Sequence, residues 1–336
     1  MNVKVKRIII GISTIFLILI MVLLIDVRLI VEHLMRISFY GLMLFFLVYT
    51  IAFIFRTYRL KVIFQGLNLK SSFLTLYCAF GIGWGINEIT PSKIGDLVRI
   101  EFIKQKEKDI GLSNSICGIA IERFIDLLIL MIIICFALLY MYVYNIRGNT
   151  ILNLQFYVSF AIFLVLAGLF ALMLLIFKTE LILNIIGKVS IRLRNRAESF
   201  INKFLEGLNE FRKKKEKLIK VLILSILTWF FETLTLVILF YFAGYEINVF
   251  IIILAQIVIF FTKTFPITPG GWIISENVGA LLVFLFYPSI EYNSILTIFV
   301  LDHLLRLLYV LIYGIISATA SNFRIKEIKL ESIKEF

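Results

Sequence analysis

The stretch GIGWGINEITPSKIGDLVRIEF, Gly81 to Phe102, decides how the chain is threaded. It continues an apolar run, Phe73 to Ile86, and then sets Asn87, Pro91, Lys93, Asp96 and Arg99 where a membrane helix ought to go on. Proline removes a backbone donor and pushes the residue before it toward extended geometry, so Thr90-Pro91 stops a helix inside the bilayer. Gly81, Gly83 and Gly85 permit close backbone approach, either at such a turn or along a plain helix–helix contact; Gly81 and Gly85 also make a GxxxG face.

Around this stretch the chain is mostly apolar, with 61% hydrophobic and 15% aromatic residues, against about 45–50% apolar in soluble domains. Several runs reach the ~20 residues needed to cross ~30 Å of hydrocarbon, and no long polar segment is present that could fold separately. Residues 1–336 therefore read as a single integral membrane domain. Cys78, Cys117 and Cys135 lie in apolar runs at spacings that match neither a zinc site nor a redox motif, and read as packing residues. The opening MNVKVKR with the run after it, closed by Asp26, reads as a retained signal anchor within an N-terminal segment of spans, 1–70.

The net charge of +12 is unevenly spread: Lys178 to Lys220 carries twelve Lys/Arg against five acids. Basic loops stay in the cytoplasm, which fixes the frame, and both termini fall on the same side. Phe200, Ile201, Phe204, Leu205, Leu208 and Phe211 recur at helical spacing, so the cytoplasmic segment 178–220 is expected to lie on the inner leaflet as a basic amphipathic helix. Counted from this frame, Ile8 to Ile25 leaves the cytoplasm, Phe39 to Phe55 returns, Arg56, Arg59, Lys61 and Lys70 form an inner loop, Ser113 to Val143 leaves and Ile151 to Phe177 returns. The segment between Ser71 and Gly111 thus begins and ends inside, and must enter the membrane and turn back.

The parity argument repeats downstream. Val221 to Ala243 leaves and Ile295 to Thr319 returns to a tail holding Arg324, Lys326 and Lys329, so the stretch from Asn248 to Pro288 begins and ends outside. It contains ITPGGWIISE, Ile267 to Glu276, against ITPSKIGD, Ile89 to Asp96. Each turn is followed by a charged span: Glu122, Arg123 and Asp126 after the first, Asp302, His303 and Arg306 after the second. The expected fold is an all-α polytopic membrane protein with about six full transmembrane helices and two opposed re-entrant hairpins, arranged as an inverted repeat. One hairpin and its charged span fall in 71–143, the other in 248–319.

Each charge at a helix centre costs about 2.5–3.5 kcal/mol on an insertion scale, so these groups must pair or face water. Glu122 and Asp126 share one face with Arg123 beside them, and Asp302 and Arg306 are spaced to pair. The cluster is either a structural lock or a polar site in an occluded cavity. Hairpin helix ends together with Lys93, Arg99, Arg123 and Arg306 favour an anion, and the apolar surroundings favour one attached to a lipid tail.

At these residues the sequence resembles a family of uncharacterised membrane proteins, uncharacterised protein family 0104, related to the flippase-like transmembrane region of lysylphosphatidylglycerol synthases. That region also resembles the membrane half of an archaeal dolichyl-phosphate glycosyltransferase. The resemblance rests on Asn87, Pro91, Gly95, Asp96 and Arg99, then Glu122, Arg123 and Asp126, then Pro269, Gly270, Gly271 and Glu276. Asp96 stands where the family usually has Glu, and Ile273 where a third glycine is common. The synthase and glycosyltransferase domains of larger relatives are missing, so the resemblance implies lipid translocation or binding without lipid synthesis.

The expected function is a flippase or scramblase for an anionic phospholipid or polyprenyl-phosphate-linked lipid in the plasma membrane. Its substrate-binding residues would be Asn87, Lys93, Asp96, Arg99, Glu122, Arg123, Asp126, Glu276, Asp302 and Arg306, with hairpin turns at Pro91, Gly95, Pro269, Gly270 and Gly271. The alternatives are a transporter of a soluble organic anion, in which His303 could titrate near neutral pH, and a membrane scaffold for a separately encoded lipid-modifying enzyme. HExxH, nucleophile-elbow and P-loop patterns are absent from the sequence, and neighbours on a helix such as Asp302 and His303 point about 100° apart. Catalysis, cofactor, metal and nucleic acid are not expected.

Overall fold

The computed structural model describes residues 27–90, 94–144, 180, 183–184, 190–264 and 271–323. The expected spans at Ile8 to Ile25 and Ile151 to Phe177, the turn residues Pro91, Pro269 and Gly270, the expected substrate-binding residue Lys93, and the basic tail lie outside these residues. The described residues form helices α1 (Val27–Arg36), α2 (Phe39–Gly66), α3 (Phe73–Ile89), α4 (Ile94–Lys106), α5 (Leu112–Val143), α6 (Ile191–Lys213), α7 (Lys215–Phe242), α8 (Val249–Thr264), α9 (Ile274–Phe286) and α10 (Tyr292–Ala320). Four of them, α2, α5, α7 and α10, are long and apolar enough to cross a bilayer. The arms α4 and α9 have 13 residues each, a rise of about 20 Å, which is too short for ~30 Å of hydrocarbon.

The chain is built twice. Helices α2 and α7 have 28 residues each, α3 and α8 have 17 and 16, α4 and α9 have 13 each, and α5 and α10 have 32 and 29. Even the caps correspond. Asn68 and Gly244, each the second residue past its long helix, take φ of 61° and 86°, the left-handed C-terminal cap. The next amide then reaches back in each case, Leu69 N–H to Phe64 O at 2.8 Å and Tyr245 N–H to Phe240 O at 2.9 Å.

Helix α3 ends where the proline argument requires: Thr90 takes φ −120° and ψ 143°, the extended geometry favoured ahead of a proline. Past the turn, α4 folds back onto α3 so closely that a Cβ on Gly95 would sit 1.9 Å from Gly83 O. Gly81 and Gly85 face elsewhere, toward Tyr313 and Ser317 and toward Val310 and Gly314 of α10. Both open readings of the glycines therefore hold, divided by residue: Gly83 serves the hairpin, Gly81 and Gly85 the helix contact.

The contacts along α10 show how the hairpins enter. Arm α3 covers its C-terminal half, running from Gly81 at Ser317 to Glu88 at His303, while arm α9 covers the N-terminal half, from Glu276 at His303 to Gly279 at Phe299. The two hairpins thus approach from opposite ends and meet midway. Helix α5 is covered in the same manner, by α4 near Glu122 and Arg123 and by α8, whose Phe250 packs on Phe136 and Tyr140. Apolar cores gather around each hairpin, one including Phe64, Phe80 and Phe102, the other Phe240, Ile295 and Phe299. The charged residues lie between them.

Two expectations change. Helix α2 does not end at Phe55 but runs to Gly66, so Arg56 and Arg59, read as an inner loop, are buried within a membrane helix at 5% and 0% exposure. The basic amphipathic helix α6 turns its apolar face to the protein rather than to an open leaflet: Ile201, Phe204 and Phe211 are buried, with Gly207 against Cys117 and Phe211 against Gly66. A hydrophobic stripe reports that a helix has something to cover, not whether that is lipid or protein. Lys214, just past α6, donates to Gly66 O at 2.7 Å, where a cation meets the negative end of α2.

Candidate functional site

Arg56 and Glu232 mark the centre of the molecule. They sit 176 residues apart, the same offset that separates Phe39 and Lys215, the first residues of α2 and α7, so they occupy equivalent positions of the two repeats and pair with each other. The Arg56 guanidinium also lies 4.2 Å from the Trp84 ring centre. Other contacts repeat off this axis. Arg123 reaches Asp96 at 3.4 Å and His303 Nδ1 contacts Glu276, each across 27 residues, between the corresponding helices α5 and α4, α10 and α9.

One side of the layer is an ion-pair network. Arg59 donates to Glu122 at 2.8 Å and to both oxygens of Asp126; Arg99 donates to Glu122, and Trp229 Nε1 to Asp126 at 3.0 Å. The expected neighbour pair Arg123 and Asp126 is only a 4.0 Å contact. On the other side Arg306 holds Asp302 at 2.8 and 2.9 Å, as the spacing predicts, and also donates to Thr235 Oγ1 at 2.6 Å and to Glu232 Oε1 at 3.4 Å.

Between the hairpin tips lies a cavity of about 120 Å³. Of the expected substrate-binding residues, Asn87, Arg123, Asp126, Asp302 and Arg306 line it. Asp96, Arg99, Glu122 and Glu276 do not. Arg99 and Glu122 are each 0% exposed, paired with one another away from the wall, with Arg99 stacked 3.8 Å from the Phe80 ring centre; the expectation that Arg99 offers charge to a ligand is corrected on that ground. Asp96 orients Arg123, and Glu276 orients His303. Gly95 lies in the first turn of α4, at the close approach to α3, and Gly271 follows the second turn with φ 79°.

The sequence reading did not single out Glu88, Glu232 or Lys263, which also line the cavity, nor Arg56 as part of it. The available signal was a charge left alone inside an apolar run: Glu232 within VLILSILTWFFETLTLVILF, Lys263 within VFIIILAQIVIFFTK. Among the cavity's cations, Arg56 and Arg306 are committed to carboxylates. Arg123 is held only at 3.4 to 4.0 Å and its side chain is 30% exposed. Lys263 makes no ion pair with a described carboxylate, its ammonium lying 3.4 Å from His303 Nε2. Trp84 Nε1, Asn87 Oδ1 and Gln256 Oε1, all on lining residues, have no hydrogen-bond partner among the described residues. Buried polar atoms in that condition are costly unless something joins them.

Fold and site together define a multi-pass membrane protein whose two inverted re-entrant hairpins enclose a charged cavity in mid-span. The chain belongs to the family described as the lysylphosphatidylglycerol synthase transmembrane region, matched over residues 8–314. A UPF0104 membrane protein of Methanocaldococcus jannaschii is 23% identical over 231 residues, which cover 69% of this chain and 92% of that protein. Another of Pyrococcus horikoshii is 22% identical over 264 residues, covering 75% of this chain and 79% of that protein. No solved structure matches the chain.

Proposed function

We propose that this protein moves a phosphate-bearing anionic lipid between leaflets of the plasma membrane, with both termini cytoplasmic, and that it does so without converting the lipid chemically. The observation that carries the reading is the pair Arg123 and Lys263, one from each repeat, facing a mid-span cavity with the least committed positive charges in it. A guanidinium and an ammonium suit a phosphate as fork and point charge. The volume of about 120 Å³ accepts a small headgroup, whereas pockets for whole drug-sized ligands run to about 300–1,000 Å³. Tails would stay in the bilayer: Ile89, Ile94 and Leu97, flanking the first hairpin tip, are 59%, 40% and 42% exposed. The Trp84 Nε1–H, unpartnered among the described residues, would donate to a phosphate oxygen, and the Asn87 Oδ1 and Gln256 Oε1 atoms would accept from headgroup hydroxyl or ammonium hydrogens.

The test is movement of a fluorescent anionic phospholipid in proteoliposomes. Arg123→Ala and Lys263→Ala should each slow it by about tenfold or more while elution profile and melting temperature hold, tenfold corresponding to one lost contact of about 1.4 kcal/mol. Wild-type rates in both variants would refute the reading. Uptake of a water-soluble anion in place of lipid movement would favour a solute transporter, and stoichiometric co-purification of a lipid-modifying enzyme would favour a scaffold.

A further inference from the structure

His303 lies where the two hairpins meet, and its ring touches both. Nδ1 contacts Glu276 of α9, whose other neighbour is Ser275 Oγ at 3.0 Å. Nε2 lies 3.2 Å from Glu88 Oε2, at the tip of the first hairpin, and 3.4 Å from Lys263 Nζ, at the tip of the second. Trp272 is stacked on the ring at 3.7 Å with the planes 6° apart, and Asp302 and Arg306 on the same helix pair with each other.

A neutral imidazole has one N–H and one lone pair; the imidazolium has two N–H groups and no acceptor. The Nδ1 position faces a carboxylate and is served by an N–H in either state. Nε2 is different. Glu88 can only accept from it when ionised, and the Lys263 ammonium can only donate to it. Protonated Nε2 therefore bonds the first hairpin and repels Lys263, whereas unprotonated Nε2 accepts from Lys263 and faces Glu88 lone pair to lone pair. The two contacts, 3.2 and 3.4 Å, place both partners within reach of one nitrogen that can serve only one at a time.

We infer that His303 is a proton-binding site whose occupancy decides which hairpin tip is tied to α10, so that movement of the cargo is coupled to movement of a proton. Glu88 and Lys263 both line the cavity, and Glu88 passes one proton between cavity water and Nε2 without net change to itself. Proton uptake fastens the tip of α3; release hands Nε2 to α8 and frees that tip. The inference needs the hairpins to meet at His303 but not that the cargo be a lipid.

The test reads Trp272 fluorescence in the purified full-length protein between about pH 5 and 8, where imidazole is the side chain that changes charge. An imidazolium stacked on an indole quenches it, so wild-type emission should fall on acidification as a one-proton transition. The transition should vanish in Trp272→Phe and in His303→Gln, and in Glu88→Gln should move to lower pH by about one unit, a tenfold loss of proton affinity. Emission that stays flat in wild type although Trp272→Phe removes part of it would overturn the inference, as would a transition that survives His303→Gln. Should His303→Gln fail to fold, the Trp272→Phe and Glu88→Gln results decide alone. Because no lipid enters the measurement, it separates failure of the proton site from failure of the lipid reading.

Discussion

Replacing Arg59 by methionine removes a charge and keeps most of the volume, so the effect isolates the ion pairs. In the structure Arg59 is fully buried and holds Glu122, Asp126 and, at 3.4 Å, Ser225. Glu122 keeps Arg99 after the substitution, which leaves Asp126 as the orphan, with Trp229 Nε1 at 3.0 Å and Arg123 at 4.0 Å. Stranding one member of a buried pair costs about 3–5 kcal/mol, and the partners left to Asp126 put the expected loss near the lower end, at about 3 kcal/mol. The double variant Arg59→Met/Asp126→Leu removes the orphan but leaves the Trp229 N–H unpaired, at about 1–3 kcal/mol. It should therefore be more stable than the single variant by about 1 kcal/mol. Reversible unfolding in mixed micelles, followed by circular dichroism, reads both differences. A single-variant change within about 0.5 kcal/mol, as for an exposed loop residue, or a double variant less stable than the single, would refute the buried network.

Gly95→Ala puts a Cβ 1.9 Å from Gly83 O and 2.7 Å from Asn87 Oδ1, so the hairpin arms must part by more than ~1 Å; a loss above ~3 kcal/mol is expected, with Gly111→Ala, where no described atom lies within 4 Å, unchanged in the same melts. Ile273 has φ 75° and ψ −51°, unfavourable for a β-branched residue, so Ile273→Gly should raise the melting temperature by the equivalent of about 1 kcal/mol, and a fall would show that the turn is unstrained. Phe211, 2% exposed against Gly66, should cost about 3–5 kcal/mol as alanine and open α6 to limited proteolysis; wild-type stability would instead place that helix on lipid.

Parity and proline found the hairpins because both are properties of the backbone in hydrocarbon: a segment that starts and ends on one side must turn, and a turn needs a residue that stops the helix. The repeat was visible in ITPSKIGD and ITPGGWIISE for the same reason. What stayed hidden was pairing. Arg56 and Arg59 read as an inner loop because an insertion scale charges each arginine as if it met lipid. Their partners, Glu232 on α7 and Glu122 and Asp126 on α5, lie 176, 63 and 67 residues away, and no local pattern announces them. The continuation LKVIF, Leu60 to Phe64, past both arginines was the one clue that the helix went on. For α6 the stripe was right and its partner was not, since amphipathicity carries no information about what covers the face.

The same pairing separates what is fixed from what can change. Arg56 and Glu232 occupy equivalent positions of the two halves, so exchanging the halves' conformations maps that pair onto itself and nothing requires it to break. Off the axis the equivalent contacts are chemically unlike: Arg123 with Asp96 in one half, His303 with Glu276 in the other, and Arg59 with Asp126 where the other half has Thr235 with Arg306. A carboxylate–guanidinium pair does not respond to pH near neutrality, whereas an imidazole does. In the proton site proposed for His303 the sensitive contacts are those of Nε2, with Glu88 of one tip and Lys263 of the other, while the Nδ1 contact with Glu276 keeps its N–H in either state. On the proposed reading, a proton at Nε2 would exchange which tip is tied to α10 while Arg56 and Glu232 stay paired, the alternation that a carrier with a single central site needs if it is not to open on both sides at once.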